Sequence, residues 1–259
     1  MHNMEEKLKA FRRLLEIMDE LREKCPWDRE QTLESLRNLT IEETYELADA
    51  ILDQDLDEIR KELGDLMLHI VFYAKIGSEK RSFDIADVLN GVCDKLVFRH
   101  PHVFGEREVR DAGEVIQNWE ELKIKEGNRS VLSGVPVSLP AMIKAHRIQD
   151  KVRAVGFDWD EKEQVWDKVN EEIMEVKQEL INGPENMQME EEIGDLLFSV
   201  INAARLYQVE PETALERTNR KFIQRFKYLE KKAAEMNRSL KEMSLEEMEA
   251  IWQEAKTAK

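Results

Sequence analysis

Along most of this chain the apolar positions recur every three or four residues between charged neighbours, the period of one face of an α-helix. Leu8, Phe11, Leu14, Leu15, Met18 and Leu21 form the first such stripe. Ile41, Tyr45, Ala48 and Leu52 form a second, and Leu56, Ile59, Leu63, Leu66 and Ile70 a third. The same texture returns at roughly 83–99, 110–126, 138–154, 161–182, 186–209, 211–236 and 244–257. Sustained alternation of period two, the mark of half-buried strands, is hard to find. An all-α fold is expected. Residues 127–140 (GNRSVLSGVPVSLP) break the texture, being poor in helix formers and rich in Gly, Ser and Pro. They read as a linker between a first domain, 1–126, and a second, 141–259.

The two halves repeat each other. Glu42-Glu43-x-x-Glu46 is followed by Glu62-x-x-Asp65, and Glu171-Glu172-x-x-Glu175 by Glu192-x-x-Asp195. The offset is 129 residues for the first cluster and 130 for the second. Gly64-Asp65-Leu66 matches Gly194-Asp195-Leu196, Lys95 and Arg99 precede Lys221 and Arg225, and Trp119 precedes Trp252. Features recurring in one order at a nearly constant offset indicate an internal duplication.

Composition narrows the partners. Among 259 residues, 39 are Lys or Arg and 55 are Asp or Glu, a formal net charge of −16. That balance excludes general affinity for long nucleic acid or anionic lipid, though a divalent cation would let a small polyanion bind. Ten glycines and six prolines are too few for a turn-rich β protein. Two cysteines, Cys25 and Cys93, form no disulfide framework and suit a reducing compartment. The N-terminal residues lack the basic and apolar regions of a signal peptide, and the longest apolar run, Leu66 to Ala74, cannot span a bilayer. A cytoplasmic protein without membrane contact is expected.

The repeated acids carry the candidate chemistry. Within each half two lie three apart on one helix and two lie three apart on the next, so each pair shares a face. A short connection makes the helices antiparallel neighbours. Glu172, Glu175, Glu192 and Asp195 then point into one space, as do Glu43, Glu46, Glu62 and Asp65. Alone they would repel and raise one another's pKa. A hard divalent cation resolves the conflict, and an all-oxygen donor set favours Mg²⁺, with Mn²⁺ as substitute. Any single ExxE in so acidic a chain reads as a solvated helix face. Repetition and apolar context set these apart: Leu63, Leu66 and Met67 flank Asp65, and Ile193, Leu196 and Leu197 flank Asp195. Gly64 and Gly194, each costing about 1 kcal/mol in a helix interior, are expected to mark close approach of another helix. A di-iron bundle would add Glu-x-x-His pairs, and none of the five histidines has a glutamate three residues earlier. His100 and His102 bracket a proline and are expected in a loop.

These residues resemble a known family. EETYELADA followed by ELGDLMLHIVFYA, and EEIMEVKQE followed by EEIGDLLFSVINAA, resemble the MazG signature of EExxE and then ExxD. CPWDREQT, RHPHVFG and VGFDWD are similar to segments of full-length tandem MazG proteins, so the resemblance covers nearly the whole chain. It implies tandem all-α domains forming four-helix-bundle-like units in a homodimer. It further implies a Mg²⁺-dependent pyrophosphohydrolase that converts NTPs or dNTPs to the monophosphate and pyrophosphate by water attack at the α-phosphorus. The implied roles are nucleotide-pool housekeeping and lowering of (p)ppGpp in stress. By resemblance Glu172, Glu175, Glu192 and Asp195 hold Mg²⁺, and Lys168, one turn before Glu172, reaches a phosphate. Lys221 and Arg225 form a second cationic arm, and Trp252 contacts base or ribose. Apart from the resemblance, Lys221 and Arg225 read as a solvated helix face and Trp252 as a core aromatic. Which carboxylate takes the proton stays open, with Glu171 a candidate base. Where some relatives carry a basic residue before the second cluster, this chain has Gln188.

The halves are not equal. The first keeps Glu43, Glu46, Glu62, Asp65, Lys95, Arg99 and Trp119, but has Leu39 where the second has Lys168. The principal activity is therefore expected in the second half, with the first building the dimer and offering a weaker metal set. Two other readings stand beside this one: a narrow dUTPase-like house-cleaning enzyme, and a helical regulatory or interaction module without catalysis. The intact acids with Lys168, Lys221 and Arg225 argue against the module.

Overall fold

The computed structural model describes residues 2–111, 113–115, 118–119, 122, 130–159, 161–182 and 187–257. Every regular element among the described residues is helical. The chain divides into two compact units, Met1–Glu108 and Val109–Lys259. The sequence reading set the boundary later, at 126; residues 123–129 there lie outside the described residues. The remainder of the expected linker, 130–140, holds turns and no helix.

The first unit contains α1 (Met4–Lys24), α2 (Pro26–Glu30), α3 (Leu33–Asp53), α4 (Leu56–Glu79), α5 (Ile85–Arg99) and α6 (Pro101–Phe104). Its helix starts are written in the sequence. Asn3 and Glu6 close a capping box on α1, and Thr32 and Ser35 do the same on α3. The α3–α4 hairpin turns on two residues. Gln54 takes the left-handed conformation, φ 56°, and the Asp55 carboxylate accepts from the backbone N–H groups of Asp57 and Glu58. Met18, Leu36, Val71, Phe72 and Ile76 form the core, with Leu39 packed against it. At Gly77 a Cβ would come within 2.7 Å of the Phe83 ring, so a larger residue there would push that ring aside. His102 lies in the one-turn helix α6, which corrects the expected loop: Pro101 occupies a first helical position that needs no N–H partner.

The second unit contains α7 (Ala141–Arg153), a 3₁₀ turn (Lys162–Gln164), α8 (Val165–Asn182), α9 (Met187–Leu206), α10 (Pro211–Glu235), a second 3₁₀ turn (Leu240–Glu242) and α11 (Leu245–Thr257). Helices α8 and α9 run antiparallel: the Trp166 indole at the start of α8 donates to the Tyr207 hydroxyl just beyond the end of α9, at 3.2 Å. Their connection, 183–186, lies outside the described residues. Val165, Val169 and Ala203 make the core between them, joined by Ile173, Leu196 and Leu206. α7 packs on α9 and α10. Leu229, Ala233, Met243 and Ile251 fasten α11 to α10.

The two repeated glycines meet no neighbouring helix within the described chain. No atom lies within 4 Å of a Cβ built on Gly64 or on Gly194, so neither glycine marks a close helix crossing within the described chain. Both sit on outward helix faces, where the missing side chain leaves open space.

Candidate active site

The antiparallel pairing of α8 and α9 assembles the second unit's acids. One carboxylate oxygen each of Glu172, Glu192 and Asp195 lies within 4.8 Å of the others. Glu172 is 4% exposed, Glu192 half-buried and Asp195 exposed, so the group spans from protein interior to solvent. Glu175, one turn on, shares a hydrogen bond with Glu172. That bond, then burial and the Glu172 charge, holds the Glu175 carboxyl above its ordinary value. It adjoins the three-residue group rather than belonging to it.

Lys168 is placed by helical spacing. Its Nζ lies 2.7 Å from Glu172 Oε1 and donates to Glu171 Oε1 at 2.9 Å. Those two hydrogen bonds hold the lysine above its ordinary pKa, so the cation stays charged through the neutral range. Glu171, the candidate base, is exposed on the outer side of this pair.

The first unit repeats the acids without the cation. Glu43, Glu62 and Asp65 bring oxygens within the same 4.8 Å, and Glu62 is 9% exposed with Oε2 buried and unbonded. Burial, then the charges of Asp65 and Glu46, raises the Glu43 carboxyl; burial, then Glu46 and Asp65, raises that of Glu62. Leu39, at the position equivalent to Lys168, is committed to the core. The two clusters therefore differ electrostatically as the sequence expected.

In both units the donors are carboxylate oxygens crowded closer than their charges favour. That chemistry fits a hard divalent cation of the Mg²⁺ type. Glu62 Oε2 supplies an independent sign, as a buried acceptor left without a donor.

A cavity of about 710 Å³ opens beside the second cluster. Lys168, Glu172 and Asp195 stand on its wall with Val165, while α7, the segment after it and α9 supply the rest. Its size falls within the roughly 300–1,000 Å³ of small-molecule sites. Much of this wall was missed from sequence. The Arg205 guanidinium donates to both Asp158 oxygens, at 3.1 and 2.5 Å, and to Asn202 Oδ1, at 3.0 and 2.8 Å. Burial alone would raise the Asp158 carboxyl, but the Arg205 hydrogen bond and the Trp159 backbone N–H outweigh it and hold it low. The signal was an arginine closing the largely apolar second half of a helix, together with the aspartate inside VGFDWD.

Lys221, Arg225 and Trp252 lie elsewhere in the second unit. Lys221 is exposed and Arg225 half-buried on α10, and the Trp252 ring on α11 sits 4.9 Å from that of Phe222. None of the three is on the cavity wall or among the clustered carboxylates.

Comparison with known proteins agrees with the duplicated layout. The profile of the MazG nucleotide pyrophosphohydrolase domain matches residues 31–104 and again 161–229. A nucleoside triphosphate pyrophosphohydrolase of Escherichia coli (strain K12) is 42% identical over 252 residues, covering 94% of this chain and 96% of that protein. The nucleoside triphosphate pyrophosphohydrolase/pyrophosphatase MazG of Thermotoga maritima is 40% identical over 251 residues, 95% of each. The uncharacterized protein YabN of Bacillus subtilis is 44% identical over 235 residues, 90% of this chain but 48% of its own length. Each α-hairpin that gathers a carboxylate cluster falls inside one of the two matched segments, and by that double match this chain belongs to the MazG nucleotide pyrophosphohydrolase domain family.

Proposed function

We propose that this chain hydrolyses nucleoside and deoxynucleoside triphosphates to the monophosphate and pyrophosphate. The work is done in its second half, 141–259, with Mg²⁺ as cofactor and Mn²⁺ as substitute. The observation that carries the proposal is the Glu172–Glu192–Asp195 group, with Lys168 against it, opening on the 710 Å³ cavity. The near full-length relatives named as pyrophosphohydrolases support the same reading.

Glu172, Glu175, Glu192 and Asp195 would hold the cation. When bound, Mg²⁺ supplies neutralisation of the triphosphate charge and an acidified water. The side chains do the rest. Lys168, already charged and one helical turn from Glu172, donates to a phosphate oxygen as charge moves onto the leaving group. Glu171 accepts the proton of the attacking water; positioned bases of this kind contribute about 10²–10⁴-fold. Lys221 and Arg225 form an outer cationic arm on α10, and Trp252 flanks the ribose.

A homodimer is part of the proposal. Ile193 and Leu197 on α9, and Phe222 and Ile223 on α10, are exposed, as is the open face at Gly194. Sedimentation at twice the chain mass tests it. A cytoplasmic location suits nucleotide-pool housekeeping, and no helix among the described residues is long and apolar enough to cross a membrane. The 5′-triphosphate of pppGpp presents the same α,β-anhydride as an NTP, and lowering of (p)ppGpp in stress is part of the proposal. A substrate panel separates broad tolerance from a narrow dUTPase-like enzyme, and no turnover of any triphosphate would leave a regulatory module.

The deciding experiment is a pair of variants, Glu175→Ala and Glu46→Ala, assayed for pyrophosphate release with Mg²⁺. Loss in the first and retention in the second is expected. The reverse pattern moves the site to the first unit.

A further inference from the structure

The acid cluster of the first unit departs from that of the second in ways that favour a bare ion. In the second unit Lys168 meets Glu172 at 2.7 Å, a cation already in place, whereas Leu39 at the equivalent position is packed into the core. Glu62, 9% exposed, keeps Oε2 buried without a hydrogen-bond partner. A further difference lies one turn beyond Asp65. At the 130-residue offset that relates Asp65 to Asp195, the second unit has Ser199, whose hydroxyl donates to the Leu196 carbonyl at 2.9 Å. The first unit has His69, 7% exposed, with Nδ1 also buried and without a partner.

Two unsatisfied polar atoms buried on one helix are costly, and one ligand between them would account for both. Glu62, Asp65 and His69 follow at spacings of three and four on α4, so they share a face. Helical side chains lean toward the N-terminus, which carries the His69 ring over the turn that bears Asp65. Burial holds that ring below its ordinary pKa against the opposing charge of Asp65. The imidazole is therefore neutral at neutral pH and has a lone pair to give.

We propose that the first unit binds a borderline transition ion of the Zn²⁺ class through Glu43, Glu62, Asp65 and His69 Nδ1. Imidazole nitrogen suits Zn²⁺ and its transition-metal neighbours, whereas Mg²⁺ keeps to oxygen. His69 is not among the residues whose ligand atoms already lie within 4.8 Å of one another, and rotation of its side chain over Asp65 completes the set. The two halves then select different ions. The expected weakness of the first metal set holds for Mg²⁺ and is reversed for ions that take nitrogen. Such an ion needs no triphosphate to stay bound, and it ties α3 to α4 rather than serving hydrolysis.

The test uses Co²⁺ as probe and the full chain carrying Glu192→Gln, which disables the second cluster, so no reading depends on turnover. Visible absorption is expected to follow Co²⁺ onto the protein, with Zn²⁺ displacing it and the same concentration of Mg²⁺ failing to. Proton NMR of the Co²⁺ form is expected to show one exchangeable imidazole N–H shifted far outside the diamagnetic range, the mark of a ligating histidine. His69→Gln keeps a polar side chain of similar size. It should abolish that resonance and leave Mg²⁺ affinity unchanged, while weakening Co²⁺ at least about tenfold, the loss that even an outer partner of a metal ligand can cause. In the chain with Glu192 intact, the same substitution should leave Mg²⁺-dependent pyrophosphate release at the wild-type rate. Absence of the shifted resonance overturns the proposal, as does its survival, or an unchanged Co²⁺ affinity, in His69→Gln. Should that variant not fold, Glu62→Gln decides: it is expected to weaken Co²⁺, and full affinity there overturns the site. A histidine-ligated ion in a protein that releases no pyrophosphate would sink the hydrolytic reading and leave this site standing.

Discussion

Replacing Arg205 with methionine tests how the cavity wall is held. The arginine side chain is 4% exposed and the Asp158 side chain 17%. Methionine keeps most of the apolar volume and removes the two bonds to Asp158 and the two to Asn202. Asp158 is then left largely buried, with Arg153 Nε at 3.4 Å as its neighbouring cation. Stranding one half of a buried ion pair costs about 3–5 kcal/mol, and the partial exposure of Asp158 with Arg153 nearby points to the lower end, about 3 kcal/mol. At about 2–4 °C per kcal/mol for a domain of this size, the second unit's Tm falls by about 6–12 °C. Removing the stranded charge as well, in Arg205→Met with Asp158→Asn, should return about 1–2 kcal/mol relative to additivity. Thermal and urea unfolding of wild type, both single variants and the double variant give all four values. The same release of the Phe157–Trp159 segment should raise KM for triphosphate more than it lowers kcat. A loss below about 1 kcal/mol, or strict additivity of the two substitutions, would refute the reasoning.

Further outcomes follow from the same structure. Hydrogen bonds from Arg238 and the Ser244 backbone hold the Glu247 carboxyl down to about 2 against an ordinary 4.5. The unfolded chain binds that proton more readily. The pair therefore contributes its full stability above pH 4.5 and loses it as pH falls toward about 2. Glu247→Gln should flatten this part of the acid limb in unfolding scans, and an unchanged slope would count against the clasp. Met18→Ala, in the first unit's core, should cost about 2–5 kcal/mol in urea unfolding while pyrophosphate release stays at wild-type rate below the transition. Lys168→Met should lower kcat/KM by about 10²–10³-fold, as loss of one preorganised donor does, and Lys168→Arg should recover part of it. Equal activity of all three proteins would remove Lys168 from the site.

What could be read in advance was whatever depends on local spacing. Glu172 and Glu175 share one helix, and Glu192 and Asp195 share its antiparallel neighbour, so helical period and duplication pointed to one carboxylate cluster, of which the structure gathers Glu172, Glu192 and Asp195 and leaves Glu175 beside them. Thr32, Asp55 and the other caps are equally local. The wall of the cavity away from the carboxylates is different. Gln149 meets the Phe198 carbonyl across 49 positions, and Arg205 meets Asp158 across 47. No periodicity links residues on α7, a loop and α9, because their meeting is set by packing angles rather than by sequence distance. The glycines mislead for a related reason. A helical glycine can mark close approach or a vacant face, and the space around Gly64 and Gly194 shows vacancy. Leu39 stands where the second half has Lys168; that it serves the first unit's core instead became visible only from the packing.

Attack of water at the α-phosphorus is the step on which the functional proposal turns, and isotope labelling reads it directly. Purified protein is incubated with Mg²⁺ and ATP in H₂¹⁸O, and the products are resolved by ³¹P NMR or mass spectrometry. One ¹⁸O in the nucleoside monophosphate, with unlabelled pyrophosphate, is the predicted result. Label in the pyrophosphate would mean attack at the β-phosphorus, and release of orthophosphate attack at the γ-phosphorus; either contradicts the assigned chemistry.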